Sequence, residues 1–351
     1  MITIAFLLSG AIAAAIMPAI IAYAAHRGLF DIADQRKVHR GDISRLGGVA
    51  VFVSFVTTIA AFAILANSIM VDLARELRYL PVMAGLFSMF ILGLVDDLHD
   101  LRARTKLCFQ LAAAALVVVS GFRFSILYVP FGDGRIEFGI FSWPLTMMWI
   151  IGVTNAMNLI DGIDGLLGGI TAIASATFGF FFLAKGEIPS SVICFALCGA
   201  AAGFLLYNFP EANIFMGDAG ALFIGFTLAV LPLLSQSDSQ SEIGLLPAIA
   251  VLGIPILDTL AAIWRRTKQG VHFFTPDRGH LHHMFLELGF SVWKILGMIY
   301  STCVLLAVCA LSSLFLPLVC SFLLNLAGLG TLVLLYFFLR IKTLKNRKSM
   351  S

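Results

Sequence analysis

Three groups of oxygen-bearing side chains interrupt an otherwise apolar chain: Asp96, Asp97 and Asp100; Asn155, Asn158, Asp161 and Asp164; and Asp218 in Phe215-Met216-Gly217-Asp218. Carboxylates at the mouth of a membrane bundle cost free energy, so they mark a place that handles a cation or a charged substrate. Adjacent carboxylates such as Asp96 and Asp97 repel each other and call for a divalent cation or a cationic partner. The plain reading of the pair is a solvated helix end neutralised by Arg102, Arg104 and Lys106. Asn155, Asn158, Asp161 and Asp164 recur every three residues, and on a helix each such step drifts by roughly 60°, so neighbours share a face. Gly162 and Gly165 are placed to break that helix and turn the last carboxylates inward. Asp218 falls where a helix would begin and could serve as its N-cap. On a glycine-flanked turn, the same carboxylate would also let a metal and a phosphate approach the backbone.

A second set is basic. Pro276-Asp277-Arg278-Gly279-His280-Leu281-His282-His283 puts three imidazoles beside a guanidinium, a combination suited to phosphate. No cysteine or spaced histidine completes a zinc site there. Asp258, in Pro255-Ile256-Leu257-Asp258, is expected inside a helix, facing a bundle interior or cavity. Asn208 offers an amide for a base or sugar. Arg36, Lys37, His39, Arg40 and Arg45 form a basic loop, of use either for substrate or for membrane orientation alone. Together the residues suggest metal-assisted chemistry on a phosphorylated substrate.

The elements that must position these groups are membrane helices. Hydrophobic residues make up 60% of the 351, charged residues 12%, and the mean hydropathy is +0.98. A soluble domain would carry roughly twice that charged share. At about 20 apolar residues per span, the chain predicts an all-α polytopic bundle of about eleven helices, forming a single domain over 1–351. The spans fall near 2–25, 46–69, 79–95, 107–121, 144–160, 165–184, 190–208, 219–235, 243–264, 293–314 and 317–339. The first ends in His26-Arg27 without a small-residue cleavage site, so it is expected to be retained. Residues 124–131 and 135–141 flank Gly132-Asp133-Gly134 and predict a small external β-hairpin. The six cysteines lie in apolar runs without a CxxC pair and are expected to pack rather than bridge.

Lys and Arg give the orientation. Eighteen of the 23 fall on one side of this span pattern, including Arg27, Arg102, Lys106, Arg265 and the tail from Arg340; Arg75, Arg78, Arg123, Arg135 and Lys185 fall on the other. The N-terminus is therefore expected outside and the C-terminus in the cytoplasm. Every acidic group named above, and the histidine segment, then lies on the cytoplasmic face.

Taken in order, the motifs resemble the polyprenyl-phosphate N-acetylhexosamine-1-phosphate transferase superfamily. The likeness runs through Gly28-Leu29-Phe30-Asp31, Arg36-Lys37-Val38-His39, Gly47-Gly48, Asp96-Asp97, Asn155 to Asp164, Phe215 to Asp218, Asp258 and His280 to His283. The loop from Pro276 looks like that of the WecA/TagO-like branch and unlike the Pro-Leu-His-His-His loop of the peptidoglycan-precursor branch. Asp42-Ile43-Ser44-Arg45 departs from relatives, which usually have prolines there. The resemblance implies Mg²⁺-dependent transfer (Mn²⁺ being the alternative ion) of GlcNAc-1-phosphate from UDP-GlcNAc to undecaprenyl phosphate in a bacterial inner membrane, with release of UMP. It implies Asp96, Asp97, Asp161, Asp164 and Asp218 as catalytic groups and Asp218, Asp97 and Asn158 as metal-site residues. Substrate contacts are implied for Asn155, Asn158, Asn208, Phe215, Asp258, Arg278, His280, His282, His283, Lys37 and Arg45. Another UDP-N-acetylhexosamine is the near alternative, and a homodimer is compatible with such a bundle; no nucleic acid partner is expected. Two other classes compete: a UbiA-type prenyltransferase, suggested by Asp96-Asp97-x-x-Asp100 alone, and a cation-coupled transporter, whose carboxylates would sit nearer the bilayer midplane.

Overall fold

In a computed structural model, residues 1–30, 43–65, 79–234, 243–271 and 279–350 are described. They form an all-α membrane fold with one two-stranded antiparallel hairpin. Among the described residues, eight helices are long and apolar enough to cross a membrane, and a bent pair makes up to nine; Gly217–Leu233 is a shorter apolar helix. Lys37 and Arg278 lie outside the described residues. The chain divides into two compact units, Met1–Arg123 with Trp143–Glu242, and Phe124–Ser142 with Ile243–Ser351.

The first unit contains α1 (Ile2–Arg27), α2 (Gly47–Leu65), α3 (Leu80–His99), α4 (Ala103–Val119), α5 (Ser142–Ile160), α6 (Leu166–Ala184), α7 (Ile188–Asn208) and α8 (Gly217–Val230). With lipid tails as apolar as leucine, helices in a membrane associate through close packing, which small residues permit. Gly199 and Gly203, one turn apart on α7, meet the backbone of Phe6 and Gly10 on α1, and the Tyr207 hydroxyl donates to the Ala14 carbonyl at 3.1 Å. The start of α8 is gripped in the same way. Gly48 of α2 lies against the backbone of Gly220, and Gly93 of α3 against that of Asp218 and Ala219, with no space for a side chain at either. A stacked pair, Phe52 on Phe90 (centroids 3.8 Å apart), ties α2 to α3 below this contact. Glycine here brings three backbones together around Asp218.

The second unit contains β1 (Ile126–Tyr128), β2 (Arg135–Glu137), α9 (Leu245–Val251), α10 (Gly253–Gln269), α11 (Leu281–Glu287), α12 (Val292–Leu311) and α13 (Leu318–Met350). The strands pair Ile126 with Glu137, Leu127 with Ile136 and Tyr128 with Arg135, around the expected Gly132-Asp133-Gly134 turn. The span expected as one helix over 243–264 is instead two helices bent by 84° at Leu252. Pro255 is the third residue of α10, a position whose missing N–H costs a new helix nothing but denies the old one a rung. Gly253 sits against Leu306 of α12 and against Leu329 and Leu332 of α13, so the break is packed on both sides. The histidine segment, expected as loop, becomes helical from Leu281 to Glu287.

Candidate functional site

The carboxylates of the first unit form a connected cluster. Asp96 is buried in the last turn of α3; one oxygen accepts the Leu101 N–H at 2.7 Å and the other takes the Lys106 ammonium at 2.5 Å. The same ammonium stands 3.7 Å from an Asp218 oxygen, and both side chains remain partly open to solvent. The Asn158 amide donates to the other Asp218 oxygen. Lys106 therefore links two acidic motifs that are 122 residues apart in sequence. The sequence offers Lys106, with Arg102 and Arg104, as a neutraliser of the Asp96-Asp97 pair; its reach to Asp218 carries no sequence signal.

Asp97 has a different part. Its two oxygens accept the backbone N–H groups of Asp218 and Ala219 at 2.8 and 2.9 Å. It thus caps α8 from another helix, satisfying donors that helix geometry leaves open. The cap expected of Asp218 itself is not made: Met216 is the N-cap residue, and Asp218 lies inside the first turn with its carboxylate turned to Asn158 and Lys106. Gly217, at φ +71°, takes the left-handed turn that brings the chain against the Arg45 carbonyl and the Asp97 carboxylate. Arg45 adds a positive charge that acts on Asp97.

Around this centre the remaining residues brace the backbone. α5 ends at Ile160, and the turn to α6 passes through Gly165 at φ +81°. The Asn208 amide spans two loops: its oxygen accepts the Gly165 N–H at 2.9 Å and its nitrogen donates to the Ile214 carbonyl at 2.8 Å. Asp164, also buried, accepts the Ala212 N–H at 3.1 Å. Asn155 is held by Gln110 and by the Ile151 carbonyl, 2.8 Å from each. These bonds hold the Asn155 and Asn208 amides in place and tie one Asp164 oxygen to the backbone. Phe215 is half-buried; its N–H donates to Ser44 and its carbonyl accepts from Gly47, which joins the first basic loop to the Asp218 turn. Asp161 lies in the turn after α5 with its side chain open to solvent. Desolvation by the surrounding protein, then the charges of Asp218, Asp97 and Asp164, push its carboxyl up to about 7.

In the second unit, Asp258 is buried and binds His280 Nδ1 at 2.8 Å and the Leu281 N–H at 2.8 Å. It faces the histidine segment rather than a cavity. His282 stacks parallel to His280 and is buried, and among the described residues neither of its ring nitrogens has a hydrogen-bond partner; burial, followed by the neighbouring His283, pushes it down to about 3, so it stays neutral. His283 is half-buried.

Among the described residues, no three His, Cys, Asp or Glu side chains converge as a ready metal cage. The donor set still fits a hard divalent ion. Mg²⁺ commonly binds through one or two carboxylates, water and substrate phosphate, and Asp218 with Asn158 beside it provides such a foothold. The Lys106 ammonium already standing there marks the point as cation-seeking. Asp97 gives both oxygens to backbone N–H groups of α8.

Residues 79–236 match the family model described as Glycosyl transferase family 4. The chain is 35% identical over 306 residues, 86% of its length and 83% of the relative's, to a probable undecaprenyl-phosphate N-acetylglucosaminyl 1-phosphate transferase of Bacillus subtilis. It is 38% identical over 307 residues, 80% of its length and 74% of the relative's, to a decaprenyl-phosphate N-acetylglucosaminephosphotransferase of Mycobacterium tuberculosis. With an undecaprenyl-phosphate alpha-N-acetylglucosaminyl 1-phosphate transferase of Escherichia coli it shares 30% over 288 residues, 80% of this chain and 75% of that one. A likeness of this extent, over the same ordered motifs that build the carboxylate cluster, makes the chain a member of the WecA/TagO-like branch of the polyprenyl-phosphate N-acetylglucosamine-1-phosphate transferases.

Proposed function

We propose that the protein transfers GlcNAc-1-phosphate from UDP-GlcNAc to undecaprenyl phosphate, at the cytoplasmic face of a bacterial inner membrane spanned by about eleven helices. The observation that carries this reading is the Lys106 bridge between Asp96 and Asp218, a charged centre kept at the ends of apolar helices. The relatives' activities support the same reaction.

In this reaction an oxygen of the lipid phosphate attacks the sugar-linked phosphorus of UDP-GlcNAc. The bond from that phosphorus to the bridging oxygen breaks, and UMP leaves with the bridging oxygen. One phosphoanhydride replaces another, so the step needs no energy input and runs both ways. Two anions must meet, and catalysis rests on positioning and charge neutralisation. Lys106, anchored by buried Asp96, supplies a fixed positive charge for the incoming phosphate. Asp96 acts through this lysine and orients it. A divalent cation, when bound, would be held by Asp218 and Asn158 and would neutralise developing charge on the diphosphate. The Asn158 amide can present either its oxygen or its nitrogen, so it serves both the free carboxylate and the occupied one. Asp161 borders the same cluster from its open turn. Phe215 offers a ring for the uracil, and Arg45 a charge for the lipid phosphate. His280 and His283, with Arg278 and Lys37, serve the nucleotide-sugar or lipid phosphates.

The expected result for purified protein with undecaprenyl phosphate is UMP release from UDP-GlcNAc and hardly any from UDP-MurNAc-pentapeptide, compared as kcat/KM on one preparation. Preference for the pentapeptide would overturn the branch reading of the sugar. Preference for UDP-GalNAc would change only the sugar's name. Pyrophosphate in place of UMP would point to prenyl transfer.

The orientation has its own test. After native thiols are removed, single cysteines in the 124–142 hairpin should react with an impermeant thiol reagent in intact cells. Cysteines in the 341–351 tail should react only after lysis. The reverse pattern would put the carboxylates outside, away from any nucleotide sugar.

A further inference from the structure

One face of α10 holds the histidine segment from behind. Asp258 and Arg265 are seven residues apart, two helical turns, and so point to the same side. Asp258 is 2% exposed, and both its oxygens are engaged, Oδ2 with His280 Nδ1 at 2.8 Å and Oδ1 with the Leu281 N–H at 2.8 Å. Two turns on, the buried Arg265 guanidinium donates to the Tyr336 hydroxyl of α13. It also packs against Gly279, where a Cβ would come within 2.5 Å of Nε and 2.7 Å of Cζ. The chain thus enters the segment against a guanidinium, and its next residue is bound at once by Asp258.

A carboxylate at hydrogen-bond distance from Nδ1 accepts a proton from that nitrogen and fixes which ring nitrogen is left for a ligand. Among the described residues, Nδ1 is the engaged nitrogen of His280. A cap for α11 would need only the Leu281 bond; the second oxygen on the imidazole has no place in that role. We propose that Asp258 is a positioning residue that keeps the proton on His280 Nδ1, so that His280 meets the diphosphate of the nucleotide sugar through Nε2. The substrate-contact role expected of Asp258 is thereby moved to His280. This inference rests on the reading that the histidine segment serves the nucleotide sugar.

The test is a ¹⁵N spectrum of histidine-labelled protein in bilayers, with the His280 signals found by difference from His280→Gln. The wild type should show a protonated Nδ1. In Asp258→Asn the new amide can donate to Nδ1, so that nitrogen should lose its proton. Turnover at saturating UDP-GlcNAc should fall roughly 10- to 100-fold, the usual loss when a histidine's outer partner is removed, with KM changed much less. Asp258→Glu should restore the Nδ1 proton and part of the turnover. A wild-type ring that carries its proton on Nε2 alone overturns the proposal, and that reading holds even if the variants fail to fold. An unchanged Nδ1 proton in a folded Asp258→Asn overturns it too. Should the protonation pattern follow expectation while the wild type releases no UMP from UDP-GlcNAc, the positioning of His280 stands and the proposed substrate falls.

Discussion

Asp218→Asn should leave a folded protein that turns over about 10²–10³ times more slowly, the scale for losing one group that stabilises transferred charge. The substitution keeps size and removes the charge that faces Lys106 and Asn158. Folding should survive because the start of α8 is capped by Asp97, whose bonds go to the backbone at 218 and 219 and do not involve the Asp218 side chain. Two measurements are joined here. Steady-state UMP release should stay low at any Mg²⁺ concentration. Mn²⁺ binding followed by electron paramagnetic resonance should weaken in parallel, without substrate present. Near-normal turnover at ordinary Mg²⁺ would remove Asp218 from the centre of the mechanism.

Asp97→Ala tests a different kind of contribution. The alanine removes acceptors from two backbone N–H groups at a packed helix start, and an unsatisfied buried donor costs about 1–3 kcal/mol. The positive end of α8 also loses a compensating charge. We expect a lower apparent melting temperature in detergent together with at least a roughly tenfold loss of turnover, because the α8 start that carries Asp218 would no longer be fixed. Asp97→Asn keeps one acceptor and should fall between the two. The pattern separates capping from metal ligation: a cap predicts that stability and turnover decline together in the order Asp, Asn, Ala. A direct ligand predicts loss of Mn²⁺ affinity with unchanged stability. The second pattern would refute the role assigned to Asp97.

The hairpin, the helical class and the acidic groups were legible because each is written in local sequence. Asp133 between two glycines makes a turn whatever surrounds it, and an apolar run flanked by polar residues must be a helix in a bilayer, where no water satisfies the backbone. The ordered motifs also sufficed to place the chain in its family. What each polar side chain does within those motifs was decided elsewhere. Asp96 and Asp97 are neighbours in sequence, yet one grips a lysine and the other caps a helix more than a hundred residues away. Helical geometry turns adjacent side chains about 100° apart, so their partners depend on which helices pack on either side. Asn208 read as an amide for a base or sugar; the fold bonds both ends of that amide to backbone. Lys106 was one of three basic residues that could neutralise the Asp96-Asp97 pair, and only the fold selects it and brings it to Asp218 as well. The bend at Leu252 was foreshadowed by Gly253 and Pro255, but the bond of His280 to Asp258 exists only in the tertiary structure. Sequence by itself determined which charges the membrane protein would keep at the ends of its helices. Tertiary structure decided their pairing, since a buried polar group is satisfied by whichever partner the packing delivers, at any distance along the chain.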